Sequence, residues 1–170
     1  MSIKNLGTYY CSIENIEKRD LKQYMNYLLS EKHENHDDTE ILGNSMNNEE
    51  IEQYLLRSDK YIDTNINNNT RGVKLKVSEK SLVLTIPPTY NATREQCLII
   101  QEEMFRIINN MYRNEGSDRS EDIFSNIHYQ DNPHINFTIP YLDENGKTLR
   151  FTKSKGKFFK QIAKHFTKVV

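Results

Sequence analysis

Apolar positions recur at helical spacing in some stretches and alternate with polar ones in others, and the switches between the two periods divide the chain into elements. Ile3 to Ile13, carrying Tyr9, Tyr10, Cys11 and Ile13, reads as an opening strand. Leu21, Tyr24, Met25 and Leu28 then fall at helix spacing, so a helix is expected to run to about Glu31. Lys32 to Asn48 is polar, with His33, His36, Asp37 and Asp38, and reads as a loop, followed by a short helix over Asn48 to Ser58. The asparagine-rich segment Thr64 to Thr70 reads as a turn. Val73, Leu75 and Val77 alternate with Lys74 and Lys76 as in a half-buried strand, and a second strand is expected from Leu82 to Ile86, closed by Pro87 and Pro88.

Thr93 and Gln96 have the spacing of a capping box and open a long helix whose stripe is Cys97, Ile100, Met104, Ile107 and Met111. After a loop from Asn114 to Glu121, two strands are expected, Ile123 to Tyr129 and His134 to Ile139, joined through Asp131, Asn132 and Pro133. Lys157 to Val169 reads as a last helix, with Phe158, Phe159, Ile162, Ala163 and Phe166 on its apolar side. This order predicts an α+β fold with a mainly antiparallel central sheet and flanking helices. At 170 residues and 36% hydrophobic content the chain suits one domain, residues 1–170, with a basic C-terminal helix over about 153–170.

Cys11 and Cys97 are too few for a disulfide framework or a thiolate metal site and are expected to be buried thiols in a reducing compartment. No apolar run is long enough to span a bilayer, and the first residues lack the apolar core of a signal peptide. A cytoplasmic protein is therefore expected, in which the Asn91 and Asn136 sequons carry no sugar.

A net charge of -1 does not suggest a nucleic-acid partner, but its distribution is uneven. Lys147, Arg150, Lys153, Lys155, Lys157, Lys160, Lys164 and Lys168 follow one another with no acidic residue among them, whereas Glu31 to Glu52 is rich in Glu and Asp. The basic run suits either a solvated helix face or a stripe that binds phosphates.

The candidate chemistry lies in the last two strands. On a strand that begins at His134, alternation puts His134, Asn136 and Thr138 on one face and Ile135, Phe137 and Ile139 on the other. If the preceding strand pairs beside it, His128 joins them, and two imidazoles with an amide oxygen make a three-donor site with open positions for phosphate oxygens and water. Such a set suits Mn²⁺ or Mg²⁺ better than a closed zinc cage. Two histidines beside a hairpin are also often only hydrogen-bonded, and spacing leaves both readings open. Asp131 suits a turn residue or an outer partner of the site.

The block His128…Asp131-Asn132-Pro133-His134-Ile135-Asn136 resembles the metal motif of the HUH-type relaxases, in particular the MobP class that includes the T-DNA transfer relaxase. The order of elements resembles that family over nearly the whole chain. Asn136 stands where the family's third histidine is usual, and the His128 to His134 gap is one residue shorter; mobilisation relaxases of the colicin-plasmid kind resemble this variant. The resemblance implies a relaxase fold, a divalent metal on His128, His134 and Asn136, and transesterification of single-stranded DNA at a plasmid transfer origin. It also brings in accessory relaxosome proteins as candidate partners.

The nucleophile implied is one of ten tyrosines. Tyr27, in Asn26-Tyr27-Leu28-Leu29-Ser30-Glu31-Lys32, resembles the family's tyrosine-leucine-serine-basic segment. Tyr24 and Tyr10 are the alternates: Tyr24 shares the apolar stripe of its helix and Tyr10 lies in the opening strand, while Asp131 is the acidic candidate. A rolling-circle replication initiator would use the same chemistry, and a single-strand-binding module with a degenerate site would keep only the basic run, Lys147, Arg150, Lys153, Lys155, Lys157 and Lys160, for DNA.

Overall fold

The computed structural model describes residues 10–30, 39–68, 76–86 and 88–150. Five strands, β1 (Tyr10–Glu17), β2 (Glu40–Leu42), β3 (Val77–Thr85), β4 (Phe124–Tyr129) and β5 (His134–Pro140), form one antiparallel sheet in the order β1-β3-β5-β4-β2. Three helices, α1 (Leu21–Leu29), α2 (Asn48–Asn68) and α3 (Arg94–Asn114), flank it. The expected α+β architecture with an antiparallel sheet is what the chain forms.

Each face of the sheet is covered differently. Leu82, Leu84, Ile127, Ile135, Phe137 and Ile139 pack against the Cys97, Ile100, Met104, Ile107 and Met111 stripe of α3. That helix starts where the capping box predicts, with the Thr93 side chain accepting from the Gln96 backbone at 3.2 Å and the Gln96 side chain accepting from the Thr93 backbone at 2.9 Å. Cys97 lies in this core, and burial pushes its thiol up to about 11, as befits an inert buried cysteine. On the opposite face Ile16 and Phe124 meet Leu21, Met25 and Leu28 of α1 and Ile51 and Tyr54 of α2.

Several elements differ from the pattern-based expectation. The opening strand runs from Tyr10 to Glu17, later than expected, and residues 3–9 lie outside the described residues. The stretch expected to be a loop contains β2, three residues that form only because the edge of β4 pairs with them. Residues 31–38 of that stretch, with His33, His36, Asp37 and Asp38, lie outside the described residues.

The short helix and the asparagine-rich turn are, through Asn68, one continuous helix. Tertiary contacts override the poor helix propensity there: Ile62 is buried, and Asn65 donates to the Gly146 carbonyl at 2.6 Å. Gly146 is required at that contact, since its φ of 76° is left-handed and a Cβ would lie 2.7 Å from the Asn65 backbone nitrogen. The two strands expected around Val77 and Leu82 are one, because β3 is an interior strand that pairs with both β1 and β5; Val73 and Leu75 lie outside the described residues, as do the residues of the expected C-terminal helix. The loop after α3 includes a short 3-10 turn over Arg119–Asp122.

Continuity of β3 buries Glu79 completely under α2, where the Ser58 hydroxyl donates to it at 2.5 Å and Ser78 donates to its other oxygen. Loss of hydration raises this carboxyl from its ordinary value of 4.5, outweighing the serine hydrogen bonds and the Arg119 charge. A raised folded value means that the folded chain holds the proton more tightly than the unfolded one. The stabilisation is therefore full below 4.5 and is lost as pH rises through the folded value. Glu79→Gln is expected to shrink the difference in Tm between acidic and neutral buffer; an unchanged difference would mean that another group sets it.

Candidate active site

β4 and β5 form a hairpin whose register sets His128 opposite His134 and Asn126 opposite Asn136. Residues directly opposite in an antiparallel pair point to the same side, so two imidazoles and two amides share the face on which α1 packs. The sequence-predicted trio of His128, His134 and Asn136 is thereby brought to one patch, and Asn126 is added to it. Alternation from His128 would have found Asn126, two residues back on the same strand.

The patch is tied to α1 by a single carbonyl. The last carbonyls of a helix have no partner within it; that of Leu28 accepts from His128 Nε2 at 2.8 Å and from Asn126 Nδ2 at 2.8 Å. Asn136 Nδ2 in turn donates to Asn126 Oδ1 at 3.3 Å. Because a carbonyl only accepts, His128 carries its proton on Nε2, and in the neutral ring the lone pair is on Nδ1. His134 Nδ1 lies 3.0 Å from the Thr85 hydroxyl on β3. Each imidazole thus has one nitrogen on an oxygen partner, and that contact orients its ring. His128, Asn126 and Asn136 are buried, and His134 is half-buried.

The tyrosines separate by position. Leu21, Met25 and Leu28 bury one side of α1, which turns Tyr27 outward: it is 56% exposed, yet its ring centroid stands 6.2 Å from that of His128, edge-on at 68°. Tyr24 stacks on Tyr27 at 6.4 Å but is half-buried, and its hydroxyl is 2.5 Å from the Ser81 hydroxyl. Burial pushes the Tyr24 phenol up, which disfavours the phenolate. Tyr10 begins β1 in register with Thr85, which is itself in register with His134, so its backbone is two strands away from that histidine.

Asp131 is exposed in the hairpin turn. Lys147 and Arg150 are also exposed but lie beyond Pro140, at the end of β5 remote from His134. They follow the histidines in sequence, yet seven strand residues carry the chain about 20 Å away. Lys153, Lys155, Lys157 and Lys160 lie outside the described residues. Among the described residues, no three His, Cys, Asp or Glu side chains gather as a metal cluster; the patch is built from imidazoles and amides.

Among solved structures, this chain is similar to the MobM relaxase domain (MOBV; Mob_Pre) bound to plasmid pMV158 oriT DNA, in an Mn-bound crystal structure at pH 6.8. The TM-score is 0.61 at 13% identity, over 94% of this chain and 85% of that one. The Mn-bound structure of the same domain at pH 5.5 gives 0.57 at 12% identity over the same shares. The fold is that of a relaxase domain. No protein-family profile and no curated protein matches the sequence. On the relaxase fold, the hairpin of β4 and β5 and the end of α1 form the polar patch, and no helix among the described residues is long and apolar enough to cross a membrane.

Proposed function

We propose that this chain is a plasmid relaxase that nicks single-stranded DNA at a transfer origin by transesterification, with Tyr27 as nucleophile. One observation carries the reading: an exposed tyrosine stands edge-on to His128, on the same helix end whose Leu28 carbonyl holds that histidine and Asn126. Tyrosine and imidazole patch are thus positioned by one rigid contact, as a reaction that needs both requires. The relaxase fold, and oriT DNA in the two similar structures, support a DNA-processing role. The motif His128…Asp131-Asn132-Pro133-His134-Ile135-Asn136 supports the MobP class, whereas those two structures are of MOBV type.

The donor set fits a divalent cation. His128, His134 and Asn136 are the side chains that would hold it; Leu28, Thr85 and Asn126 orient them. When bound, Mn²⁺ or Mg²⁺ would polarise the scissile phosphate and offset the charge that develops on it. The Tyr27 oxygen attacks phosphorus, a phosphotyrosyl bond forms to the new 5′ end of the downstream fragment, and the bond from phosphorus to the 3′ oxygen of the upstream fragment breaks. The phenol gives up one proton and the departing 3′ oxygen takes one, so the step is balanced. The buried amides keep water from the inner side of the patch, and Tyr24, held by Ser81, backs the Tyr27 ring.

The experiment is incubation with random and origin-containing single strands in Mn²⁺, followed by a denaturing gel. A shifted protein–DNA band that disappears with chelator is expected; a strand cut without a covalent band would argue for a hydrolytic nuclease. Lys147, Arg150, Lys153, Lys155, Lys157 and Lys160 are proposed to hold phosphates of the strand away from the break. Charge reversal at Lys153, Lys155 and Lys157 should then lower both affinity and its dependence on salt, by about 0.7 in log-log slope per lost contact. Unchanged slope would remove the lysines from the DNA path.

A further inference from the structure

A second, planar arrangement ends the sheet beside the histidine pair. Tyr129 follows His128 on β4 and so faces the opposite side of the sheet. Its hydroxyl donates to the Ala92 carbonyl at 3.0 Å, which pins the ring against the start of α3. Arg94, the first residue of α3, lays its guanidinium over that ring at 4.7 Å from the centroid. Glu40, paired with Tyr129 across β2 and β4, accepts from Arg94 Nη2 at 2.7 Å and from Nε at 2.8 Å. The arginine side chain is nevertheless 59% exposed. A surface arginine ordinarily samples many rotamers; this one has its plane set by a ring beneath and a carboxylate at its edge.

The charge of the group decides what it suits. Glu40 cancels the arginine charge and would repel a phosphate brought to the same edge, so the pair is a poor phosphate hook. A fixed, flat and electrically balanced guanidinium on an aromatic ring is instead the surface on which unpaired bases stack. Among the described residues, two other cation–ring pairs do not match it: Lys80 over Tyr141 has no plane to offer, and Arg119 over Tyr61 is buried. We propose that Arg94 on Tyr129 is a stacking platform for one unpaired nucleobase of the bound single strand, at the same end of the sheet as the histidine patch and on its other face. This deepens the relaxase reading and rests on it.

The test is fluorescence anisotropy of the whole chain with a labelled single strand over a series of salt concentrations. Arg94→Ala should weaken binding about 5- to 100-fold, the range for losing one stacked base, and leave the slope of log affinity against log salt as in the parent. Arg94→Lys keeps the charge and loses the plane, so it should lose most of the same affinity. On a strand of abasic sugar-phosphate the parent and Arg94→Ala should bind alike. Exposed ion pairs contribute little to stability, so both variants should melt with the parent, which separates binding from folding.

A slope that falls by about 0.7, with binding restored by lysine, would make Arg94 a phosphate contact and overturn the platform. Unchanged affinity in Arg94→Ala would overturn it as well. A parent chain that binds no single strand at all would contradict the relaxase reading itself, and the platform with it, a result distinct from either.

Discussion

Tyr27→Phe should abolish the covalent protein–DNA adduct, lowering its rate by on the order of 10³-fold or more, while folding and DNA binding stay near those of the parent. The substitution removes one hydroxyl from a side chain that is 56% exposed, so little packing is lost. Gel quantitation of adduct against time, with anisotropy for binding, reads the two effects separately. Tyr24→Phe provides the contrast. It removes the hydrogen bond to Ser81 at 2.5 Å and should cost stability, about 1 kcal/mol for a part-buried pair, with the adduct still formed. An adduct that persists in Tyr27→Phe and vanishes in Tyr24→Phe or Tyr10→Phe would move the nucleophile, and persistence in all three would end the tyrosine mechanism.

The second large effect concerns the cation. His134→Ala should weaken Mn²⁺ binding by on the order of 100-fold or more in calorimetry, with adduct formation falling in step. Thr85→Val, which deletes only the hydroxyl 3.0 Å from His134 Nδ1, should weaken it less, about 10-fold. Asn136→His offers an imidazole in place of an amide and should tighten binding. His134→Ala that binds Mn²⁺ as well as the parent would show that the ion, if bound, is held elsewhere.

The grouping of His128, His134 and Asn136 on one face was legible because it depends on local period. Alternation along His134 to Ile139 separated polar from apolar faces, and pairing with the preceding strand was enough to bring His128 opposite. The long helix was legible from Thr93, Gln96 and an unbroken stripe. What escaped depends on distant partners. Glu40 to Leu42 has no strand signal of its own and pairs only because β4 has an open edge. Asn65, Asn67 and Asn68 form helix because Ile62 and the Gly146 contact hold them there. Glu79 sits mid-strand because serines receive it.

The same limit applies to chemistry. Nothing in the order of residues tells that Leu28 O receives two side chains from β4, since the partners are 98 and 100 positions apart. Nor does proximity in sequence put Lys147 and Arg150 near the histidines, because β5 carries the chain to the far end of the sheet before they are reached. Tyr27 was singled out by resemblance; its outward position on α1 and its edge contact with His128 are physical grounds for keeping it ahead of Tyr24.

The most direct test is to locate the DNA on the protein. The parent chain is incubated with single strands in Mn²⁺, the covalent product is digested with nuclease and protease, and the modified peptide is sequenced by mass spectrometry. A 5′-linked nucleotide on Tyr27 is expected. A nucleotide on any other residue, or no modified peptide from strands that the chain demonstrably binds, would contradict it.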